Sequence, residues 1–495
     1  MHRRRLLSVA LVTFAAACAG TPAYRPSGVV VPSAYGTANA AGGAAAALTD
    51  TCVTPLSRDA RPAGVPSVHQ SVTLARAPFW RDLGDSTLTM LIEEAERANA
   101  DVRVAEARLT STRSARRLAA FDLAPTITAS GSATRQQLSM AQVPGFGRQL
   151  PQQELWDVGF DASWELDIFG RVNRTVRAQG ALVESAERGV EDVQVSIAAE
   201  VARTYFELRG AQRQLAVSLR NAENQRRTMK VTEDRLAAGR GTAFDRERAR
   251  SVLYLTLAST PTLESQITQR RLQLAVLLGR TPDALPSAVL DSGSLPRLPD
   301  TVYVGSPAEL VRRRPDVLRA ERLVAAQSLF VGAARADYLP RITLGARAGY
   351  VASSFDSLSR TGTSRLLVGP LLTWPLFDVG RVRQRVQFAQ AQEDEAQAEY
   401  RGTVLRALEE ADASLVAYDR AHARLAILDE AVRSSTRAAD LAQQRFEAGL
   451  TDFLQVLDAQ RTLLDAENQL AQGHTTAATA LVAVYKAVGG TWPTR

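Results

Sequence analysis

Two stretches 210 positions apart carry the same turn, and this duplication constrains the fold more than any other feature. Arg445-Phe-Glu-Ala-Gly-Leu-Thr-Asp-Phe-Leu-Gln-Val-Leu-Asp-Ala-Gln460 repeats the pattern of Arg235-Leu-Ala-Ala-Gly-Arg-Gly-Thr-Ala-Phe-Asp245. Arg235 matches Arg445, Ala238 matches Ala448 and Gly239 matches Gly449. After a one-residue adjustment Thr242 matches Thr451 and Phe244 matches Phe453. Gly239 and Gly449 suit the left-handed conformation that ends a helix, and Thr242 or Thr451 suits the cap of the next one. The register recurs elsewhere. Trp164-Glu-Leu-Asp-Ile-Phe-Gly-Arg-Val172 lies over Trp374-Pro-Leu-Phe-Asp-Val-Gly-Arg-Val382, and Leu277-Leu-Gly279 over Ala487-Val-Gly489. Each half therefore reads as helix, strand, loop, strand, long helix, tip and return helix.

Hydrophobic periodicity places these elements. From Phe79 to about Ala120, Leu88, Leu91, Ala95, Ala98, Val102, Ala105 and Leu109 recur at helical spacing, with Asp85 as the expected cap. Alternation over 125–134 and 156–164 predicts two strands around a polar loop, as does that over 340–350 and 366–376. No proline falls between Arg171 and Thr260, or between Arg381 and the second tip, so two very long helices are expected. We assign repeat 1 to 85–285 (hairpin 122–166, tip 236–245), a connector to 286–306 with Pro261 as its first mark, and repeat 2 to 307–490 (hairpin 338–377, tip 446–453). Residues 491–495 form a tail.

The N-terminus reads differently. Arg3-Arg4-Arg5, an apolar run and Ala15-Ala16-Ala17-Cys18 resemble an export signal over 1–17 and a lipoprotein cleavage site, although Ala15 stands where Leu is usual. Cys18 is the expected lipidation site. If Cys18 is acylated, Cys52 has no partner left in the chain; if it is spared, a Cys18–Cys52 bridge becomes available in an oxidising compartment. Residues 18–84 are rich in Ala, Gly, Pro, Ser and Thr and read as an extended, anchored arm.

No enzyme emerges from the side chains. His2, His69, His422 and His474 are scattered, no phosphate-cradling loop is present, and neither a cofactor nor a metal is expected. The net charge of +7 is spread among acids on helix faces rather than clustered, so no nucleic-acid partner is expected. No stretch after the signal reaches the ~18–20 apolar residues of a spanning helix, which leaves a β-barrel open. Four strands per chain are too few to close one, since membrane barrels need at least about eight. Three copies would supply enough, whereas a soluble periplasmic rod remains the alternative of a different class.

Several motifs together give the chain its resemblance. They are Cys18 with Pro22-Ala-Tyr-Arg-Pro26 and Val31-Pro-Ser-Ala-Tyr35; Phe79-Trp80 with Asp82-Leu83; Trp164 to Arg171; Leu277-Leu-Gly-Arg280; Arg312-Arg-Arg-Pro-Asp316; Gly369-Pro-Leu-Leu-Thr-Trp-Pro-Leu-Phe377; and Ala448 to Gln460. The sequence resembles the TolC-like outer-membrane efflux protein family, in particular its OprM- and NodT-like lipoprotein branch. The resemblance implies a mainly α, internally duplicated fold with a periplasmic α-barrel. It also implies a homotrimer whose four strands per chain build a twelve-stranded barrel in outer-membrane lipid. The partners it implies are a periplasmic adaptor and an inner-membrane pump of the RND type. The expected role is an exit duct for toxic small molecules. The shared duct also admits type I protein secretion, and the residues name no substrate.

Within that resemblance the tips carry the mechanism. Gly239, Arg240, Thr242, Gly449, Thr451 and Asp452 are expected to meet the adaptor. Leu450, Leu454 and Asp458 fall at i, i+4 and i+8 on a helix taken to begin after Gly449, and are expected to ring the periplasmic aperture. Two apolar rings would hinder ions and an acidic ring would favour cations. The alternative is that both leucines pack between helices. Arg240-Gly241 lacks this face, which puts the gate on the second tip.

Overall fold

The strongest local signals become helices and strands close to where their spacing puts them. The computed structural model describes residues 31–32, 35, 79–139, 151–291, 293, 295–299, 302, 304 and 306–490. The expected signal, Cys18, Cys52 and the tail 491–495 lie outside these. In chain order the helices are α1 (Phe79–Asp82), α2 (Ser86–Ala98) and α3 (Ala100–Phe121). Strands β1 (Thr126–Gln136) and β2 (Gln153–Leu166) come next. Then come α4 (Arg171–Ala237), α5 (Ala243–Ala258), α6 (Thr260–Leu277) and α7 (Ser287–Leu290). The second half runs α8 (Pro307–Arg313), α9 (Pro315–Ala336), β3 (Arg341–Ala352), β4 (Ser364–Thr373), α10 (Val379–Glu447) and α11 (Phe453–Ala487). No described helix is long and apolar enough to cross a membrane.

Contacts divide the chain into two units. The first, from residues 108–187 and 319–401, holds the sheet. All four strands join in the order β1-β2-β3-β4, each pair antiparallel, so the two hairpins of the duplication form one meander. The two halves of the duplication meet where Ala162 faces Ala346. Trp164 donates its indole N–H to the Leu123 carbonyl at 3.0 Å, and Trp374, 210 positions on, donates to the Tyr338 carbonyl at 3.1 Å. Each indole thus ties a strand end to the turn after the preceding helix.

The second unit, from residues 29–107, 188–318 and 402–495, is mainly helical over its described residues. Leu88, Leu91 and Ile92 of α2, with Val201, Tyr205, Phe206 and Leu208 of α4, are buried as their spacing requires. Asp85 caps α2 as expected, its carboxylate accepting from the Leu88 N–H at 3.0 Å and from the Tyr205 hydroxyl at 2.8 Å.

Two continuous helices in the sequence reading are broken in the structure. The run from Phe79 to Ala120 divides at Asn99. Its side chain accepts from the Asp101 N–H and donates to the Leu277 carbonyl at 2.9 Å, so a tertiary acceptor stabilises the break. The return helix of repeat 1 divides at Ser259, and Pro261 opens α6 rather than starting the connector. Proline fits the first turn of a helix because that turn leaves its N–H groups unpaired anyway. The return helix of repeat 2, which lacks such a proline, runs unbroken for 35 residues.

The Arg312-Arg313-Arg314-Pro315-Asp316 motif finds its use here. Arg314 grips Asp316 through two hydrogen bonds of 3.0 and 2.8 Å, pairs with Glu410 at 2.7 Å, and donates to the Ala487 carbonyl at 2.9 Å. Its side chain is 9% exposed, so the charge is held by partners rather than water. Arg314 closes the end of α11 as Asn99 closes the end of α6. These are two chemical solutions at matching places in the two repeats.

Candidate functional site

The sheet separates its side chains by chemistry. Because neighbours across a ladder share a face, the register sorts every second residue together. One face carries Ile127, Ala129, Gly131 and Ala133 of β1 and Trp156, Val158, Phe160, Ala162, Trp164 and Leu166 of β2. Ile342, Leu344, Ala346, Ala348, Tyr350 and Ala352 of β3 and Leu366, Val368, Pro370 and Leu372 of β4 complete its apolar set, with Arg135, Glu154 and Ser364 as polar exceptions at the strand ends. Leu366 is 76% exposed and Ile127 68%, so among the described residues no layer covers this apolar face. The opposite face presents Thr126, Thr128, Ser130, Ser132 and Thr134 beside Asp157, Asp161, Glu165, Arg341, Arg347 and Arg365, with Leu155, Val351, Leu367 and Leu371 as apolar exceptions.

Charges on the polar face are paired. Arg365 holds Asp157 through two bonds of 2.6 and 2.8 Å. Asp161 pairs with Arg347 and accepts from the Ser130 hydroxyl at 2.7 Å. Gly159 stands opposite Gly349, and a Cβ on Gly159 would lie 2.6 Å from the Ala348 carbonyl oxygen. A side chain there would push the two strands apart. Alternation in the sequence separates the two faces of each strand. It did not identify the ion pairs, although Asp157, Asp161 and Glu165 share a parity visible in the sequence.

The tips are closely alike in backbone. Gly239 and Gly449 have φ of +73° and +74°, the left-handed conformation only glycine adopts without strain. The Gly239 N–H donates to the Leu236 carbonyl and that of Arg240 to the Arg235 carbonyl. Gly449 to Phe446 and Leu450 to Arg445 repeat the pair. The caps differ. Thr242 caps α5, accepting from the Asp245 N–H at 3.1 Å. Asp452, not Thr451, caps α11, accepting from the Gln455 N–H at 3.1 Å, while the Thr451 hydroxyl donates to the Gln455 side chain at 2.6 Å. A carboxylate one position later took the role because it reaches the same N–H with a full negative charge.

This shifts the expected aperture. The helix begins at Phe453, so Leu450 lies in the turn before the cap and does not share the helix face. Leu454 and Asp458, one turn apart, do share an exposed face. Leu450 is 71% exposed and Leu454 46%, so neither packs between helices of its own chain. Gly239, Arg240, Thr242, Gly449 and Asp452 are exposed, and Thr451 is half-buried.

Beneath the tips lies a cluster the sequence reading missed. Phe446, Phe453, Val456 and Leu457 pack with Ala249 of the first repeat. The Arg235 guanidinium sits 3.8 Å from the Phe446 ring centre and donates to the Phe446 carbonyl at 2.8 Å and the Glu447 carbonyl at 3.4 Å. It closes the C-terminus of α10, where the helix dipole favours a cation. The arginine repeats in the sequence, but its partner lies 211 positions away and no local pattern announces it. Among the described residues no group of acids, histidines and cysteines is arranged to hold a metal.

With this geometry in view, the comparisons are consistent with one another. The model of the outer membrane efflux protein family matches residues 91–280 and 307–490, one match per repeat. Outer membrane protein OprJ of Pseudomonas aeruginosa is 31% identical over 82% of this chain and 85% of its own length. The toluene efflux pump outer membrane protein TtgI of Pseudomonas putida is 30% identical over 82% and 86%. Among solved structures, the outer-membrane channel OprN superimposes with a TM-score of 0.81 at 35% identity, covering 90% of this chain and 99% of that one. VceC of Vibrio cholerae gives 0.77 at 26% identity, covering 84% and 99%.

Proposed function

This chain belongs to the outer membrane efflux protein family, and on that premise we propose how it works. It is an outer-membrane protein and the exit duct of an efflux system; it is not an enzyme. Our reading is that three copies assemble and that β4 of each pairs with β1 of the next, closing a twelve-stranded barrel from three four-stranded sheets. The observation that carries this is the two-faced sheet with both outer strands lacking a partner among the described residues. An open edge is not tolerated in lipid, because every unpaired N–H and C=O there costs several kcal/mol. A single uncovered apolar face suits acyl chains, and the paired charges of the other suit a watery lumen.

The tips then meet a periplasmic adaptor through Gly239, Arg240, Thr242, Gly449, Thr451 and Asp452, and an RND-type pump drives export. Leu454 and Asp458 ring the aperture, with Leu450 at the rim of the turn. Cys18 anchors the arm to the membrane by its lipid, and residues 85–285 and 307–490 act as the two structural repeats. Relatives are named for efflux of toluene and solvents, and from these we infer small toxic cargo, while the relative named for pyoverdine export supports passage of polar molecules as well. Deleting the gene should sensitise cells to several unrelated compounds, and outer-membrane extracts should hold a heat-dissociable species of three times the chain mass. A monomer in the periplasmic fraction would overturn the duct.

A further inference from the structure

The clamp beneath the tips has a second copy whose partner is missing. Arg235 closes the end of α10 by donating to the carbonyls of Phe446 and Glu447. Every backbone feature of that site recurs 210 positions away: Arg445 matches Arg235, and Leu236 and Ala237 match Phe446 and Glu447. The Leu236 carbonyl accepts the Gly239 N–H at 3.0 Å, just as that of Phe446 accepts the Gly449 N–H at 3.0 Å. Phe446 uses its second lone pair on Arg235. A carbonyl oxygen can accept two such bonds, so the same direction is available at Leu236. Yet the Arg445 side chain is exposed and makes no hydrogen bond or ion pair among the described residues.

The apolar surroundings divide in the same way. Half-buried Val231 packs on the in-chain cluster, whereas its counterpart Leu441 is 59% exposed. Phe453 is 4% exposed inside the cluster, whereas its counterpart Phe244 is 68% exposed. Leu441 and Arg445 thus form the uncovered half of a site on repeat 2. Leu236 and Phe244 form the complementary half on repeat 1. Within one chain repeat 1 supplies the arginine and repeat 2 accepts it. A ring of copies adds the reverse junction, repeat 2 of one chain against repeat 1 of the next.

We propose that Arg445 of one copy closes on the first tip of a second copy, donating to the Leu236 and Ala237 carbonyls while Leu441 packs near Phe244. This interaction surface rests on the trimer reading above. The junction between chains lacks the aromatic plate that backs Arg235, since Leu236 stands where Phe446 does. It is the weaker of the two seams and the one expected to part first.

A photo-crosslinking residue placed at position 445 of the full chain in outer-membrane vesicles tests this. Irradiation should give covalent dimers and trimers on denaturing gels, joined to the peptide containing Leu236. The same probe at position 235 should link only within its chain, to the peptide containing Phe446. A reciprocal probe at Leu236 should capture the peptide containing Arg445, which keeps the test decisive if the 445 variant fails to assemble. Native mass measurement separates the two ideas. A trimer in which the 445 and 236 probes link only within the chain, or to other peptides, overturns the clamp and leaves the trimer standing. A monomer overturns both.

Discussion

The Arg235 guanidinium lies 3.8 Å from the centre of the Phe446 ring and donates to that residue's own carbonyl at 2.8 Å. One side chain thereby joins the end of the first long helix to the end of the second. The contact combines a stacked cation, a charge-assisted hydrogen bond and a favourable helix-end dipole.

Arg235→Ala should destabilise the tips by about 1–3 kcal/mol, the sum of a cation–π contact and a hydrogen bond from a charged donor. Arg235→Lys should recover only part, because an ammonium cannot stack flat on the ring. Amide hydrogen exchange over 440–460 reads the effect. Unchanged protection in the alanine variant would refute the coupling.

Arg314→Ala should cost about 3–5 kcal/mol, since it leaves the Asp316 carboxylate and the Ala487 carbonyl without their buried donor. Thermal unfolding and the yield of assembled protein are the measurements. Arg313→Ala, at an exposed neighbouring site, should change little and serves as the control.

Glu96 gives a pH dependence. Burial foremost, with the nearby Glu93 charge, pushes its carboxyl up to about 7 from the usual 4.5, against the pull of Arg81 and Arg97. The folded state therefore holds the proton more tightly than the unfolded chain. The native state is favoured at acid pH, and this contribution is lost as pH rises from about 4.5 to about 7. Partial exposure makes the effect smaller than a full burial penalty. Glu96→Gln should raise the melting temperature at pH 8 and flatten its slope between pH 5 and 8. An identical slope in wild type and variant would remove Glu96 from the account.

Val368→Arg on the apolar face should cost about 2–4 kcal/mol if that face meets the lipid midplane, and block assembly into the membrane. Thr128→Arg on the opposite face should assemble normally. Heat-modifiable migration in outer-membrane fractions distinguishes the two, and equal behaviour would contradict the assignment of faces.

For the aperture, Asp458→Ala should lower cation selectivity in planar bilayers, and Leu454→Ala should raise conductance by relaxing an apolar ring. Leu450→Ala should matter less, because it precedes the helix cap. Unaltered single-channel behaviour in both of the first two variants would move the constriction elsewhere.

Much of this was legible in the residues because it is local. Glycine at Gly239 and Gly449 dictates a helix stop by sterics alone, and strand alternation assigns a face to each residue of β1 without knowledge of its neighbours. The break at Asn99 was not legible, since nothing nearby forbids a continuous helix, whereas Pro261 marks the break at Ser259 in the sequence itself. At Asn99 the break is held by the carbonyl of Leu277, 178 positions away. The cap at Asp452 was within reach of sequence reasoning and was missed because the aligned Thr242 suggested Thr451.

By itself, the sequence determined the duplication, the type of each element and the chemistry of each strand face. Those follow from spacing and backbone sterics acting over a few residues. Only the tertiary structure decided that Asp157 meets Arg365, that Arg314 holds Glu410, and that Arg235 finds Phe446 while the Arg445 side chain finds no partner among the described residues. Such pairings depend on the register between elements some 100 to 210 residues apart, set by packing of whole faces at once. A duplicated sequence repeats the donors. The single chain, having two ends, completes only one of the two junctions.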